Sequence, residues 1–280
     1  VSRGVDEAIV SLVRAALDED IGLRDVTAEA TVPATALARG TLLAKQELVV
    51  AGLGVARAAF EVRMPDLDWQ PRVEEGAALA PGTVIGTLSG TARGMLSAER
   101  VALNFLQRVS GVATMTRRFV AAVAGTRARI RDTRKTTPLL RGLEKLAVVL
   151  GGGVAHRSRL DTGILVKDNH IRLAGGAGLA TQRAVAAAVG LEVEVEVERA
   201  DQIEEVLAAG AHMILLDNFS PEGVAAAVTL IAGRVPVEVS GGVTLSNVRA
   251  YAEAGPDFIA IGALTHSAPA CDISLEIEPA

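Results

Sequence analysis

Three of the chain's four lysines, Lys135, Lys145 and Lys167, fall in one window of a sequence that otherwise carries its positive charge on 24 arginines. Between Arg127 and Arg172 stand eleven of the 28 Lys and Arg, against only Asp132, Glu144, Asp161 and Asp168, although the whole chain has a net charge of −5. So local an excess of positive charge predicts an anionic ligand. An ammonium is a compact point charge and a guanidinium a planar fork, so a site that keeps both uses both geometries. A solvated basic face would account for the charge alone. It would not account for the apolar run Ile164-Leu165-Val166 or for Gly151-Gly152-Gly153, which interrupt the basic residues.

A second set of groups has the opposite sign. In Glu192-Val193-Glu194-Val195-Glu196-Val197-Glu198 the period of two puts every Val on one face and every Glu on the other. If helices cover the outer face of this strand, the glutamates turn inward. There they must be paired or bound to metal, because an isolated buried charge costs several kcal/mol or more. Asp217-Asn218, Ser240-Gly241-Gly242 and Gly262-Ala263 close later apolar runs. Glycines let backbone N–H groups approach a phosphate closely, although Gly-Gly is also an ordinary turn.

The elements that position these groups are legible from Arg127 onward. Short β-branched runs at 128–131, 164–167, 192–198, 213–217, 235–240 and 258–262 alternate with helical patterns at 138–150, 179–189, 200–209, 221–231 and 246–254. Such alternation predicts a parallel sheet, and the number of units favours a closed or nearly closed barrel. Thr137-Pro138 reads as cap and first turn of a helix whose apolar stripe is Leu139, Leu143, Leu146 and Leu150. Polar residues collect where the strands end, the face on which such barrels carry their sites.

Upstream, Val5, Ile9, Leu12, Val13 and Leu17 recur at helical spacing and Gly22 closes that helix. Residues 31–50 and 69–88 read as strands joined by tight turns. Ser97 is positioned to cap a helix running through Arg108, with Arg100, Asn104, Gln107 and Arg108 on one polar face. With 50% hydrophobic residues the chain can bury one large or two moderate cores. The single Cys271 excludes an intrachain disulfide. Val1 to Asp20 does not have the pattern of a signal peptide, and no apolar run reaches the roughly 18 residues of a membrane span. One Trp, one Tyr and a pI near 5.5 give little basis for nucleic-acid binding. The expectation is a cytoplasmic protein with a small anionic ligand, no nucleic acid and no membrane.

Taken together, Arg131-Asp132-Thr133-Arg134-Lys135-Thr136, Gly151-Gly152-Gly153 with His156-Arg157, Leu165-Val166-Lys167-Asp168-Asn169-His170, Glu194-Val195-Glu196-Val197, Leu215-Leu216-Asp217-Asn218, Ser240-Gly241-Gly242 and Gly262-Ala263-Leu264-Thr265-His266-Ser267 resemble the quinolinate phosphoribosyltransferase family. The resemblance keeps the family's motif order and spans essentially the whole chain. It implies an N-terminal open-faced α/β sandwich, residues 1–110 joined by 268–280, and an incomplete, about seven-stranded α/β barrel of the type II phosphoribosyltransferase kind, residues 111–267. It implies transfer of phosphoribose from phosphoribosyl pyrophosphate to quinolinate, with decarboxylation to nicotinate mononucleotide. Homodimers with a shared active site, in some cases assembled into hexamers, are also implied.

Residue by residue, the resemblance gives quinolinate to Arg134, His156 and Arg157, with Lys135 and Lys167 nearby and Arg100 reaching in from a second subunit. Glu196 and Asp217 would hold the ribose hydroxyls and Mg²⁺. Ser240, Gly241, Gly242, Gly262 and His266 would hold the 5′-phosphate. Lys135, Lys167, Glu196 and Asp217 are then the groups expected to carry the chemistry, by electrostatics, while Glu192 and Glu198 receive no role. A same-fold pyrophosphorylase associated with molybdenum transport, with a different acceptor, is the nearest alternative. A lysine Schiff-base aldolase using Lys167 and a non-catalytic nucleotide sensor are more distant ones.

Overall fold

The computed structural model describes residues 7–280, so Val5 of the first helical pattern lies outside the described residues. Two compact units divide the chain, one extending to Met115 and rejoined by Ala268–Ala280, the other Thr116–Ser267.

In the first unit α1 (Glu7–Ile21) and α2 (Val26–Thr31) precede β1 (Leu37–Ala44), β2 (Leu48–Val49), α3 (Leu53–Arg63), β3 (Asp68–Pro71), β4 (Ala78–Leu79) and β5 (Val84–Thr91). Among the described residues of the α1 pattern, Val13 and Leu17 are buried and Ile9 and Leu12 half-buried. α2 and α3 lie where no helix was expected. Asp25 caps the first of them by accepting from Ala28 N–H at 2.9 Å, and α3 buries a run of small residues together with Phe60.

Helix α4 (Ala92–Ala122) is far longer than the pattern starting at Ser97 predicted. Ser97 lies inside it, its hydroxyl donating to Arg93 C=O at 2.8 Å and to Asp25 at 3.1 Å, so it is an interior residue and not a cap. The polar face divides in the same way. Gln107 and Arg108 donate to the carbonyls of Ile273 and Ala268, at 2.8 and 2.9 Å, and so tie down the returning chain end. Arg100 and Asn104 are exposed.

The second unit contains β6 (Arg129–Arg131), α5 (Arg141–Leu150), β7 (Ile164–Val166), α6 (Asp168–Ala174), α7 (Ala177–Ala187), β8 (Val193–Val197), α8 (Asp201–Ala208), β9 (Met213–Asp217), α9 (Pro221–Ile231), β10 (Val237–Ser240), α10 (Val248–Glu253), β11 (Phe258–Ala260) and α11 (Ala263–His266). Its six strands form one parallel sheet in the order β6-β11-β10-β9-β8-β7. Beyond β6 a single parallel bridge, Arg131 to Val154, stands where a seventh strand was expected. β8 is buried at all five positions, as a strand covered on both faces must be.

Helix α5 starts at Arg141, not Pro138, because Leu139 takes φ +66 and cannot enter a right-handed helix. Leu139 and Leu146 are exposed, and the buried face is Leu143, Glu144, Ala147 and Val148 with Lys145. Glu144 reaches back to accept from Thr137 N–H and hydroxyl, at 3.0 and 2.8 Å, which fixes the turn after Lys135.

The chain closes with β12 (Ile273–Pro279), which pairs antiparallel with β1 at the edge of the sheet β12-β1-β5-β3. A short β2-β4 ladder lies apart from it. No helix among the described residues is long and apolar enough to cross a membrane.

Candidate active site

A cavity of about 350 Å³ opens at the C-terminal ends of the parallel strands. The chain after β6 gives it Asp132, Thr133, Arg134 and Lys135, and β7 gives Leu165 and, just past its end, Lys167. Glu196 comes from β8, Leu215 and Asp217 from β9, Glu238 and Ser240 from β10, Ala260 from β11, and His156 with Arg157 from the chain after the Val154 bridge. Eight of the thirteen residues assigned from the sequence therefore line one space: Arg134, Lys135, His156, Arg157, Lys167, Glu196, Asp217 and Ser240.

Gly241, Gly242, Gly262 and His266 are not in the lining, although Gly241 follows Ser240 and Gly262 lies against Lys135, both of which are. A Cβ placed on Gly262 would lie 3.1 Å from both Lys135 Cδ and His266 Nε2, so a larger residue there would press on the lysine stem and the imidazole. Gly241 has φ +97, and a Cβ there would collide with the Asn218 side chain. Arg100 belongs to the first unit and does not line the cavity. Among the described residues it has no hydrogen-bond or ion-pair partner.

Two kinds of carboxylate face inward. Toward the mouth, Lys167 Nζ lies 2.9 Å from Glu196 Oε2. The main chain of Lys167 is fixed by a capping interaction, its N–H donating to His170 Nδ1 at 2.9 Å where α6 begins. Asp217 accepts from the Asn218 amide at 2.7 Å, and its carboxyl is pushed above the usual range by burial and by the neighbouring charge of Glu196.

Deeper in the sheet, Glu194 Oε2 lies 2.8 Å from His156 Nε2, and Glu238 Oε2 accepts from Arg131 Nη1 at 2.6 Å. Arg131 also stacks over Phe258, 4.5 Å from the ring centroid. Burial raises Glu194 and Glu238 each to about 7 and lowers His156 to about 4, with Arg131, Lys145 and Arg157 pushing the imidazole the same way against Glu238. The Arg157 guanidinium is shifted down by burial and by the charge of Arg134.

The basic window is thus only partly a ligand site. Lys145 is buried in an ion pair with Asp132, Arg131 is spent on Glu238, Arg159 on Asp161, and Arg141 on Thr136 and Ser158. Arg134, Lys135, Arg157 and Lys167 are the cations left to the cavity. Glu238, Asp132 and Thr133 were not expected there. The Val-Glu-Val alternation of β10 carries the signal for Glu238, since it repeats that of β8. Nothing in the sequence marks Asp132 apart from its basic neighbours. Thr265 was likewise missed, although its hydroxyl holds Lys135 C=O at 2.7 Å.

A parallel α/β sheet with a cation-rich, carboxylate-lined cavity at the C-terminal ends of its strands has the architecture of α/β enzymes that take anionic ligands. Comparison with known proteins narrows the class to one family. Residues 25–110 match the model of the quinolinate phosphoribosyl transferase N-terminal domain, and residues 112–276 match that of its C-terminal domain. The chain is 42% identical over 278 residues to nicotinate-nucleotide pyrophosphorylase [carboxylating] of Mycobacterium leprae, covering 97% of this chain and 98% of that one. Its fold is similar to NadC from Streptococcus pyogenes, with a TM-score of 0.92, 39% identity and 97% of each chain covered. It is also similar to the nicotinate-nucleotide pyrophosphorylase from Francisella tularensis, with a TM-score of 0.93, 35% identity, and 97% of this chain and 96% of that one covered. The chain belongs to the quinolinate phosphoribosyltransferase family, the decarboxylating pentosyltransferases of NAD biosynthesis.

Proposed function

We propose that the cavity at the strand ends is where this chain joins phosphoribosyl pyrophosphate to quinolinate, and that Arg134 and Arg157 hold the acceptor. One observation carries this reading. The two guanidinium groups lie close enough for Arg134 to depress Arg157, and each has a buried Nε–H without a partner. Two forks of like charge on one cavity wall match the two carboxylates of a planar dianion. Lys135 and Lys167 add positive charge. Ser240, the backbone of Gly241, Gly242 and Gly262, and the exposed His266 form the side suited to the 5′-phosphate.

Cleavage at ribose C1 leaves the bonding pair on pyrophosphate and positive charge on the sugar, while the ring nitrogen of the acceptor forms the new bond. Glu196 and Asp217 stabilise the sugar cation, and Lys135 and Lys167 stabilise the departing pyrophosphate. The acceptor's ring nitrogen is then quaternary, so the electron pair left at the adjacent carbon when carbon dioxide departs is stabilised next to it until that carbon takes a proton from water. No side chain is needed as an acid or base in either bond cleavage.

Glu196 and Asp217 also fit Mg²⁺. They offer hard oxygen donors at neighbouring strand ends, and their mutual repulsion, which raises Asp217, is what a divalent cation relieves. Bound there, Mg²⁺ would supply further charge for the pyrophosphate oxygens. We assign the unpartnered, exposed Arg100 to the site of a second copy, in a homodimer. A cytoplasmic setting goes with this reading, since a chain with one cysteine needs no oxidising compartment for an internal disulfide.

The test is to incubate the protein with quinolinate, phosphoribosyl pyrophosphate and Mg²⁺ and to measure nicotinate mononucleotide and carbon dioxide together. Both are expected from quinolinate and neither from a nicotinate control. Pyrophosphate release with some other acceptor, and none with quinolinate, would overturn the reading. For Arg100, mixing the Arg100→Ala and Arg134→Ala proteins under exchange conditions should restore about a quarter of wild-type activity, because half the dimers then carry one intact site. Absence of any recovery would remove Arg100 from the site.

A further inference from the structure

Arg157 is held beside a like charge, and what holds it is an assembly of buried groups that never reaches its guanidinium. Asp132 Oδ1 accepts from His156 N–H at 2.8 Å, and Lys145 Nζ donates to His156 C=O at 2.9 Å. Asp132 and Lys145 are ion-paired to each other and buried. Both main-chain groups of His156 are therefore clamped by one salt bridge.

The imidazole continues the chain of contacts. Its Nδ1 accepts from Arg157 N–H at 2.8 Å, and a backbone N–H can only donate, so Nδ1 carries no proton. The ring proton of the neutral imidazole is then on Nε2 and is directed to Glu194 Oε2 at 2.8 Å. Both ring nitrogens are used, and the ring has nothing left with which to hold a carboxylate. A metal triad of His156, Glu194 and Glu238, whose ligand atoms lie within 4.8 Å of one another, is disfavoured by the same facts. The Nε2 lone pair is protonated, and Arg131 already occupies Glu238.

We propose that His156 is a positioning residue: Asp132, Lys145 and Glu194 lock it from three directions, and through its Nδ1 it fixes the Arg157 peptide and so aims the Arg157 guanidinium at the acceptor. This rests on the phosphoribosyl-transfer reading and changes the part played by His156 within it. Arg157 Nη1, anchored on Gly163 C=O at 2.8 Å, is the other end of the same bracket.

The chain has only four histidines, so the tautomer is directly readable. In ¹⁵N-labelled wild-type protein at pH 7, without substrate, His156 should show a protonated Nε2 and an unprotonated Nδ1. A protonated Nδ1, or a cationic ring, would overturn the proposal whatever the enzyme's activity.

The second measurement is a double-mutant cycle on quinolinate KM, with phosphoribosyl pyrophosphate KM as control and melting curves to confirm folding. His156→Ala should raise quinolinate KM about tenfold and Arg157→Ala about a hundredfold, with the double variant no worse than Arg157→Ala. Multiplication of the two effects would show that His156 touches the acceptor itself. Glu194→Gln, which keeps an oxygen for Nε2–H, should lose less than Glu194→Ala. If quinolinate is no substrate at all, the phosphoribosyl reading fails while the tautomer result still stands or falls alone.

Discussion

Strand β8 sends Glu194 and Glu196 to the same face of the sheet, two residues apart, and they meet different surroundings. Glu196 stands near the cavity mouth and is met by Lys167, whose side chain remains 46% exposed. Glu194 stands one step deeper, against His156 and the Glu238–Arg131 pair; the two glutamates are equally shielded, at 6% exposed each, so it is their partners that differ. The outer carboxylate has a partner that can swing away to a substrate. The inner one has a partner that cannot. Identical residues on one strand thus become reagent and scaffold by a difference of about 7 Å in depth, two residues of strand rise.

The largest effect should fall on the outer set and spare the fold. Asp217→Asn and Glu196→Gln each remove charge that the transition state uses, and each is expected to lower kcat by about 10³, roughly 4 kcal/mol. Melting temperature should not fall with it. The repulsion that raises Asp217 is relieved, and the lysine of the Lys167 pair that is given up is half exposed, so water takes over its solvation. A variant that lost activity and stability together would erase the distinction between the two depths.

The inner set should respond the other way. Glu238→Ala leaves Arg131 buried under Phe258 without its carboxylate, and loss of one partner of a buried pair costs about 3–5 kcal/mol. Urea titration should show that loss as a lower midpoint. If the midpoint stays in place, the inner cluster is not scaffold.

This division explains which features were legible in the sequence. Strand β9 and helix α9 have the predicted limits, because a short apolar run and a start at Pro221 are local signals, and Ser220 just before it caps, accepting from Gly223 N–H at 3.2 Å. Inward alternation of Glu194 and Glu196 was legible for the same reason. Depth was not, since the period of two assigns a face and says nothing of distance from the mouth. Asp132 and Lys145 read as part of a basic run because their pairing joins two elements and has no sequence period. Ser97 misled because a good capping residue stands inside a helix whose length is set by the packing of its apolar face. The Pro138 start failed at one residue, Leu139, whose left-handed φ no propensity rule anticipates.

A smaller effect concerns pH. Folded Glu238 keeps its proton up to about pH 7, against an ordinary value of 4.5, so between those values the folded chain binds more protons than the unfolded one. Its contribution to stability therefore falls as pH rises through that window, and the full penalty applies above it. His156, lowered from 6.5 to about 4, acts oppositely, costing stability as pH falls below 6.5. Glu238→Gln isolates the first term because an amide does not titrate. Relative to wild type, its melting temperature should gain a few degrees between pH 5 and pH 8. A constant difference across that range would mean that Glu238 is ionised throughout.

The smallest effect should be at Glu198, the last member of the same alternating row. Its backbone N–H donates to Gln202 Oε1 at 3.0 Å as the chain turns into α8, and its side chain is left exposed. Its one connection to the site is electrostatic, a minor contribution to the raised Asp217 carboxyl. Glu198→Gln should therefore change stability by no more than about 0.5 kcal/mol and kcat/KM by less than about twofold. Asp217 should ionise at slightly lower pH, seen as a small acid-side shift in the activity profile. A loss comparable to that of Glu196→Gln would mean that the glutamate row works as one charged unit. Face alone, and not depth, would then decide what each carboxylate does.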